Sequence, residues 1–496
     1  MNKRINVFLV LAVLVFLPSQ HLFSQQKKRT YTLEDVLLIA RQQSPMAVMA
    51  KHRFRGSYWE FRTYKAGFLP MLTMNTTIPD LNRSIDKITL NDGSDAFVER
   101  KLINSSADLE LRQNIGLTGG SIYMRSDLQR IDNMGENGQT SYLSYPINIG
   151  IQQPVNGYNE YHWERQIAPL KYEESQRNYI QSLEQVSLRA VNYFFDLALA
   201  QKNLEIARVN YSNADTLYRI AKGRYQLGTI AENELLQMEL SFLNTGTDLN
   251  SAQIDLAIKK FQLNSFLGLN QNENIELVIP FEIPDLEIKL QEAIEQAQEN
   301  NPDVLDRQQQ LLQADQEVDR TRAEKGLNAT ISASFGLSQR ANELKNLYAN
   351  PQDQERVRVG LSIPLMDWGL GKGHYRMAQS AQEVAKTNVQ QAEMDFQQEV
   401  LLEVMQFNLQ DDQLKIAAKA DTVGTSRYHV SKQRFLIGKI SVLDLNVAQT
   451  EKDEATRRFI SALRNYWTYF YTIRSLTLYD WLNNSPLEQD FDSLLR

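Results

Sequence analysis

The chain contains no cysteine. That excludes disulfides, thiolate metal sites, a cysteine nucleophile and lipid attachment at an N-terminal cysteine. Glycine and proline are sparse, 22 and 13 in 496 residues, while Ala, Gln, Leu, Glu and Asn fill long stretches, so extended helix is expected rather than many compact lobes. There is no block of Lys and Arg, and the net charge is a mild −7, so nothing points to nucleic acid. His21, His52, His162, His374 and His429 are scattered, with no i, i+4 pair and no HExxH motif, which argues against a metal site. Gly369-Leu370-Gly371-Lys372-Gly373 lacks the spacing of a phosphate loop and reads as a strand-to-helix bend. No cofactor and no enzymatic activity are expected.

Long hydrophobic runs are also missing. Lys3 and Arg4 precede an apolar run from Ile5 to Leu17, followed by Leu22-Phe23-Ser24. This pattern reads as a signal peptide over 1–24, because the run falls short of the ~20 residues that span a bilayer as a helix. No other stretch could form a transmembrane helix. An exported chain with neither lipid nor spanning helix is either soluble in the periplasm or a β-barrel.

What the sequence does contain is itself, twice. Ile147-Asn148-Ile149-Gly150-Ile151-Gln152-Gln153-Pro154 returns 210 positions later as Val357-Arg358-Val359-Gly360-Leu361-Ser362-Ile363-Pro364. Arg224-Tyr225-Gln226-Leu227-Gly228-Thr229 returns at the same offset as Arg434-Phe435-Leu436-Ile437-Gly438-Lys439. The chain is therefore a tandem duplication. The first repeat is expected over 25–280, the second over 281–480, and a polar C-terminal tail over 481–496.

Each repeat predicts a helix, short strands, a very long helix and a shorter returning helix. Thr32 with Asp35 marks an N-cap before a helix over 33–66, ended by Gly67-Phe68-Leu69-Pro70; its counterpart covers 287–325. Ser44-Pro45 and Asn301-Pro302 correspond within them. Ile147, Ile149 and Ile151 alternate with Asn148, Gly150 and Gln152, and Val357, Val359, Leu361 and Ile363 alternate with Arg358, Gly360 and Ser362. Apolar outside and polar inside suits a membrane barrel with a watery lumen, although a soluble sandwich carries the same alternation. A surplus of about 47 residues in the first repeat contains the turn Thr118-Gly119-Gly120 and predicts an extra β-hairpin. The stretches 91–95 and 133–140 read as polar loops.

The long helices, expected over 158–222 and 370–433, would each reach roughly 95 Å at ~1.5 Å per residue. Leu183, Ala190, Leu197, Leu204, Tyr211 and Tyr218 form one heptad row, and Val186, Tyr193, Ala200, Ala207, Ala214 and Ala221 the other. Large residues facing alanines specify close coiled-coil packing. Each long helix reverses at a glycine, Gly228 or Gly438, into helices over 231–267 and 441–476. Aromatic residues gather where helices meet strands: Tyr58, Trp59, Tyr64, Phe68, Tyr158, Tyr161, Trp163, Trp368 and Tyr375. They suit a membrane–water interface and equally a core.

The duplication, the strand–Pro–long-helix junctions at Pro154 and Pro364, and the tip Arg434-Phe435-x-x-Gly438-x-x-Ser441-x-x-Asp444-Leu445 resemble the TolC family of outer-membrane efflux proteins over essentially the whole mature chain. The resemblance implies a mostly α fold with a small β portion: long antiparallel helical hairpins forming an α-barrel tunnel, and about four membrane strands per protomer. In a homotrimer these would close a twelve-stranded barrel in outer-membrane lipid, over a tunnel of twelve helices in the periplasm. It also implies a periplasmic adaptor (membrane fusion) protein and an inner-membrane RND or ABC transporter as partners. The function implied is a passive export duct of a tripartite efflux or type I secretion system. Trimeric closure fits the strands, since a single-chain barrel needs at least eight and four alone would leave open edges.

For the sites, the resemblance implies an acidic aperture constriction at Glu234 and Asp444 with the aromatic Phe435. The adaptor would contact the tips Leu227, Gly228, Thr229 and Ile437, Gly438, Lys439. Val447 stands where the family often has a second aspartate, and Ile440 where some members have an arginine, so neither a double acidic ring nor that latch carries over. The alternative reading is a trimeric structural or adhesive coiled-coil protein on a small barrel anchor. Strands interleaved with helices in both repeats favour the duct.

Overall fold

The structure, a computed structural model, describes residues 29–134, 138–155, 157–270 and 275–495; the signal peptide expected over 1–24 lies outside them. In chain order the elements are β1 (Arg29–Tyr31), α1 (Leu33–Gln43), α2 (Pro45–Ala66), β2 (Met71–Thr89), β3 (Asp95–Ile115), β4 (Gly120–Asn133) and β5 (Thr140–Pro154). Then come α3 (Glu160–Gln226), α4 (Glu232–Leu267), β6 (Ile275–Leu277), α5 (Leu290–Asn300), α6 (Pro302–Glu324), β7 (Asn328–Ala341) and β8 (Gln352–Ser362). The chain finishes with α7 (Leu370–Asn408), α8 (Gln410–Leu436), α9 (Val442–Thr477), β9 (Tyr479–Asp480), β10 (Ser485–Pro486) and α10 (Phe491–Leu495). No described helix is long and apolar enough to cross a membrane.

The chain divides into two compact units. One holds residues 49–184, 286–408 and 472–496 and contains a six-stranded antiparallel sheet in the order β2-β3-β4-β5-β7-β8. The surplus of the first repeat accounts for two of these strands, turning at 116–119 with Gly119 at φ +75°. Alternation is clearest in the rows nearest the helix junctions, where Gln113 and Glu355 are the polar exceptions on the apolar face. Leu109 and Leu111 of β3 lie opposite Met74 and Leu72 of β2, and Leu111 continues through Met124, Ile149 and Phe335. The other face carries Arg112, Tyr123, Gly150, Ser334 and Arg356 in one row. A sheet apolar on one side and polar on the other is what lipid outside and water inside require.

The first helical segment of each repeat is broken where the sequence places X-Pro. Ser44 and Asn301 are fully buried before Pro45 and Pro302, and Asn301 Oδ1 accepts from the Asp303 amide at 2.9 Å, an N-cap that restarts α6. The second long helix is likewise two helices, α7 and α8, interrupted at Leu409. Beside the break, Asn408 Oδ1 accepts from the Ile288 amide (3.1 Å) and its Nδ2 donates to the Ile288 carbonyl (2.9 Å). Helical periodicity carries no sign of such a clip, which depends on a distant backbone segment. The expected polar tail is no free appendage: the Phe491 ring lies 5.1 Å from Phe54, and Arg55 Nε donates to the Leu494 carbonyl at 2.6 Å.

The other unit holds residues up to 48, 185–285 and 409–471. Its seam is the one the heptads specify: Ala190, Leu197, Ala200, Leu204, Ala207, Ala214 and Ala221 are all buried. Tyr211 and Tyr218 stack on Phe242 at 5.2 and 5.9 Å. Helix α1 begins with a complete capping box, Thr32 and Asp35. A short parallel pair, β1 with β6, was not legible in the sequence. Gln201 of α3 clips it, donating to the Ile275 carbonyl (3.0 Å) and accepting from the Leu277 amide (3.2 Å).

Arg474, itself buried, bridges Glu184 (3.0 Å) and Asp480 (3.1 Å) in the sheet-bearing unit. Removing the cation alone takes its Arg474 partner from a carboxylate only 2 % exposed. Arg474→Met is expected to cost about 3–5 kcal/mol, read as a lower thermal midpoint by circular dichroism. The double variant Arg474→Met, Glu184→Gln should recover most of the loss. Burial pushes the Asp480 carboxyl up, but the Arg474 charge and hydrogen bonds from Asn483 and the Leu482 amide hold it below its ordinary value. Its contribution is therefore present above the usual carboxylate range and lost as pH falls through the lowered value. Asp480→Asn should remove that part of the acid sensitivity.

Candidate functional site: the paired helical tips

The two reversals have the same backbone. At the first, the Gly228 amide donates to the Tyr225 carbonyl (2.9 Å) and the Thr229 amide to the Arg224 carbonyl (2.9 Å). At the second, Gly438 donates to Phe435 and Lys439 to Arg434, again at 2.9 Å each. Both are Schellman closures with the glycine in the left-handed region, φ +72° and +75°. Nothing lies within 4 Å of where a Cβ would sit on either glycine, so only backbone conformation demands glycine there. The closures lift Leu227 (80 % exposed) and Ile437 (66 %) into the open.

The helix starts that follow differ. Ser441 Oγ accepts from the Asp444 amide (3.2 Å), while Asp444 Oδ2 accepts from the Ser441 amide (3.1 Å) and hydroxyl (2.8 Å). This is a capping box with Asp in place of Glu. The hydrogen bonds from the Ser441 hydroxyl and amide hold the Asp444 carboxyl below its usual range. In the first tip Ala231 stands at the cap with no side-chain hydrogen bond; the Glu234 amide donates to the Ala231 carbonyl at 3.2 Å, and its carboxylate makes no hydrogen bond or ion pair among the described residues. Both carboxylates are exposed.

The aromatic position differs too. Tyr225 is 41 % exposed, whereas its counterpart Phe435 is 8 % exposed. Phe435 packs in a cluster with Tyr428 and Leu445, against Leu217, Ile440 and Val442. In this conformation the Phe435 ring is buried and packs between the two hairpins. Ile440, noted in the sequence only as a missing arginine, belongs to that apolar joint. A cavity of about 300 Å³ lies beside it, lined by Ala221, Arg224, Glu234, Met238, Phe435 and Leu443. Sequence reasoning did not find this joint, because Tyr225 and Phe435 occupy equivalent repeat positions and only packing separates them.

Among the described residues no three His, Asp or Glu side chains gather in a way that could hold a metal. At the strand–helix junctions, aromatic residues divide between core and surface. Phe68 meets Tyr161 at 5.4 Å and Trp163 Nε1 donates to Asp319 at 3.2 Å, while Trp59 and Trp368 are 63 % and 90 % exposed. The glycine-rich bend is structural: Asp367 accepts from the amides of Gly369 and Gly371 at 2.9 Å each.

The sequence profile of the outer membrane efflux protein family matches residues 114–269 and 293–477, so the chain belongs to that family. No curated protein matches it in sequence. Among solved structures it is similar to the Campylobacter jejuni CmeC outer membrane channel, with 15 % identity, 93 % of this chain and 88 % of that one covered, and a TM-score of 0.65. It is also similar to the Vibrio cholerae outer membrane protein VceC (14 %, 92 % and 97 %, 0.63). The Neisseria gonorrhoeae MtrE channel in its open state matches likewise (14 %, 90 % and 88 %, 0.61). The chain is a TolC-type outer-membrane channel-tunnel of the kind used in efflux and type I secretion, with a long helical periplasmic portion. It is a transport duct, not an enzyme.

The capping box makes the second tip sensitive to acid. Its stabilisation is present above the ordinary carboxylate range and lost as pH falls through the lowered Asp444 value. Hydrogen exchange corrected for intrinsic rates is expected to show the 441–446 amides losing protection at low pH, while 231–236 change little. Ser441→Ala should raise exchange there several-fold at neutral pH, and Asp444→Asn should flatten the pH dependence.

Proposed function

We propose that three copies of this chain form the exit duct of a tripartite exporter, with both tips of each copy docking on a periplasmic adaptor fed by an inner-membrane RND or ABC pump. The observation that carries this reading is the pair of identical Schellman tips, each presenting an exposed aliphatic residue at a glycine reversal. Leu227 and Ile437 are apolar side chains in water with no fold-internal role, as expected of a surface awaiting a partner. Leu227, Gly228, Thr229 and Ile437, Gly438, Lys439 are the docking residues. The repeats, 25–280 and 281–480, are the units that a threefold axis converts into six hairpins.

Glu234 and Asp444 form the acidic constriction. They occupy equivalent positions six residues beyond each tip glycine, so threefold symmetry would bring three copies of each toward one axis. Gathered carboxylates focus field along a narrow passage and favour cations. Phe435 acts one step back: it packs the hairpins together and so holds the aperture shut.

Planar-bilayer recording tests the constriction with charge-only variants. Glu234→Gln with Asp444→Asn, which keeps a cap acceptor, should abolish cation preference and block by multivalent cations from the periplasmic side. Unchanged selectivity would put both groups on the solvated outer surface. Phe435→Ala should raise conductance. For docking, Gly228→Val or Gly438→Val should abolish export in a drug-susceptibility assay while assembly and membrane insertion persist. Normal export by both variants would remove the tips from the adaptor interface.

A further inference from the structure

The sheet has two open edges, β2 and β8, and six strands between and including them. We infer that the hairpin added to the first repeat is part of the membrane wall, and that β2 of one copy pairs with β8 of the next to give an eighteen-stranded barrel rather than twelve. This rests on the threefold reading above.

Four observations support it. First, the apolar row runs without a break through the added strands. Leu72, Leu111, Met124, Ile149 and Phe335 lie in register on five adjacent strands before Glu355 on β8, and Ile122, Ile151, Ala333 and Val357 follow one step below, beside Gln113 on β3. A hairpin destined to plug the lumen or stand in water would have no reason to continue the lipid-facing row.

Second, the turn of the added hairpin is fastened to the strand–helix junctions. Asn159 Nδ2 donates to the carbonyls of Gly116 and Leu117 at 3.1 Å each. Gln153 Nε2 donates to the Thr118 carbonyl at 2.7 Å, and Asn114 Nδ2 to the Gly67 carbonyl at 3.1 Å. The insertion is anchored at both of its flanks.

Third, the strand ends are staggered as a closed barrel needs. Met71, where β2 begins, shares its row with Arg356 of β8, yet β8 runs six residues further, to Ser362. Six residues at ~3.3 Å against six strand spacings at ~4.8 Å give a tilt of about 35°, at the lower bound of the ~35–45° of closed barrels.

Fourth, the widths agree. Four helices, α2, α3, α6 and α7, join the sheet at its base, and side by side they occupy about 32–40 Å at ~8–10 Å each. Six strands tilted by about 35° span roughly 35 Å, whereas four would span only about 23 Å. The added hairpin brings the wall to the width of the helices beneath it. A backbone edge cannot stay unpaired in hydrocarbon, so a second copy of the chain is the occupant that each edge requires. The consequence is a mouth about 1.5 times wider than twelve strands would give, since barrel diameter grows roughly linearly with strand number.

Because the chain has no cysteine, each introduced pair is the only source of thiols. Leu72→Cys is combined in turn with Val357→Cys, Val359→Cys and Leu361→Cys in the full-length protein in its own membrane, then treated with a short thiol-specific cross-linker. Within one chain these positions sit on opposite edges of the sheet, so any bridge joins two copies. The expected result is efficient cross-linking for at least one pair, giving species of up to three chains on non-reducing gels, with export retained. Met124→Cys in place of Leu72→Cys should give none, because β4 is flanked by β3 and β5. Cross-linking from Met124→Cys, none from any Leu72→Cys pair in membrane-inserted protein, or an intrachain bridge between Leu72→Cys and Ile149→Cys, which would set β2 beside β5 and the added hairpin outside the wall, overturns the inference. Bridged species that stop at two chains would leave the β2–β8 contact standing and contradict the threefold reading instead.

Discussion

Every peptide group in a bilayer core needs a hydrogen-bond partner, and a six-stranded sheet cannot supply one at its two edges. That single constraint makes the chain incomplete alone. The outward rows Leu72 to Phe335 and Ile122 to Val357 commit the sheet to lipid, and the opposite face, with Arg112, Asp127, Asn148, Arg356 and Arg358, commits the other side to water. Neither face leaves room for a layer that would cover the edges, so closure through further copies follows from backbone chemistry before any family resemblance is invoked. The helices then follow from the strands, because β2, β5, β7 and β8 each join a helix at the same end of the sheet.

Duplication supplies two versions of one hairpin, and selection has used the second version differently. The Schellman closures at Gly228 and Gly438 are interchangeable in geometry, since the αL backbone leaves few alternatives. The surroundings are not. Asp444 is tied into a capping box while Glu234 is uncommitted, and Phe435 is buried where Tyr225 faces solvent. One tip thus carries a side-chain cap and the other none.

Much of this was legible in the sequence. The heptad rows identified the buried alanines of α3 because a period near 3.5 has one structural meaning over many turns. The Thr32–Asp35 cap and the added hairpin were legible because each is a local chemical signal, whereas the helices expected unbroken over 33–66 and 287–325 in fact restart at Pro45 and Pro302. What escaped depends on distant partners. The break at Leu409, beside the clip of Asn408 onto Ile288, the β1–β6 pair held by Gln201, and the docking of Phe491 on Phe54 all join segments remote in sequence, and no periodicity records them. At the tips the glycines and carboxylates were found from the repeat, but the burial of Phe435 was not. Repeat symmetry treats it as the equal of Tyr225, and the difference lies in Tyr428, Ile440 and Leu445 packing around one ring and not the other.

The most direct measurement is the mass and conductance of the same purified sample. Native mass spectrometry of protein released from the outer membrane in mild detergent, paired with planar-bilayer recording, reads both assembly and pore. Three chains per particle with discrete channel currents is the expected result. A stable single chain that inserts no channels would contradict the claim that strand edges, closed by neighbouring copies, build the duct.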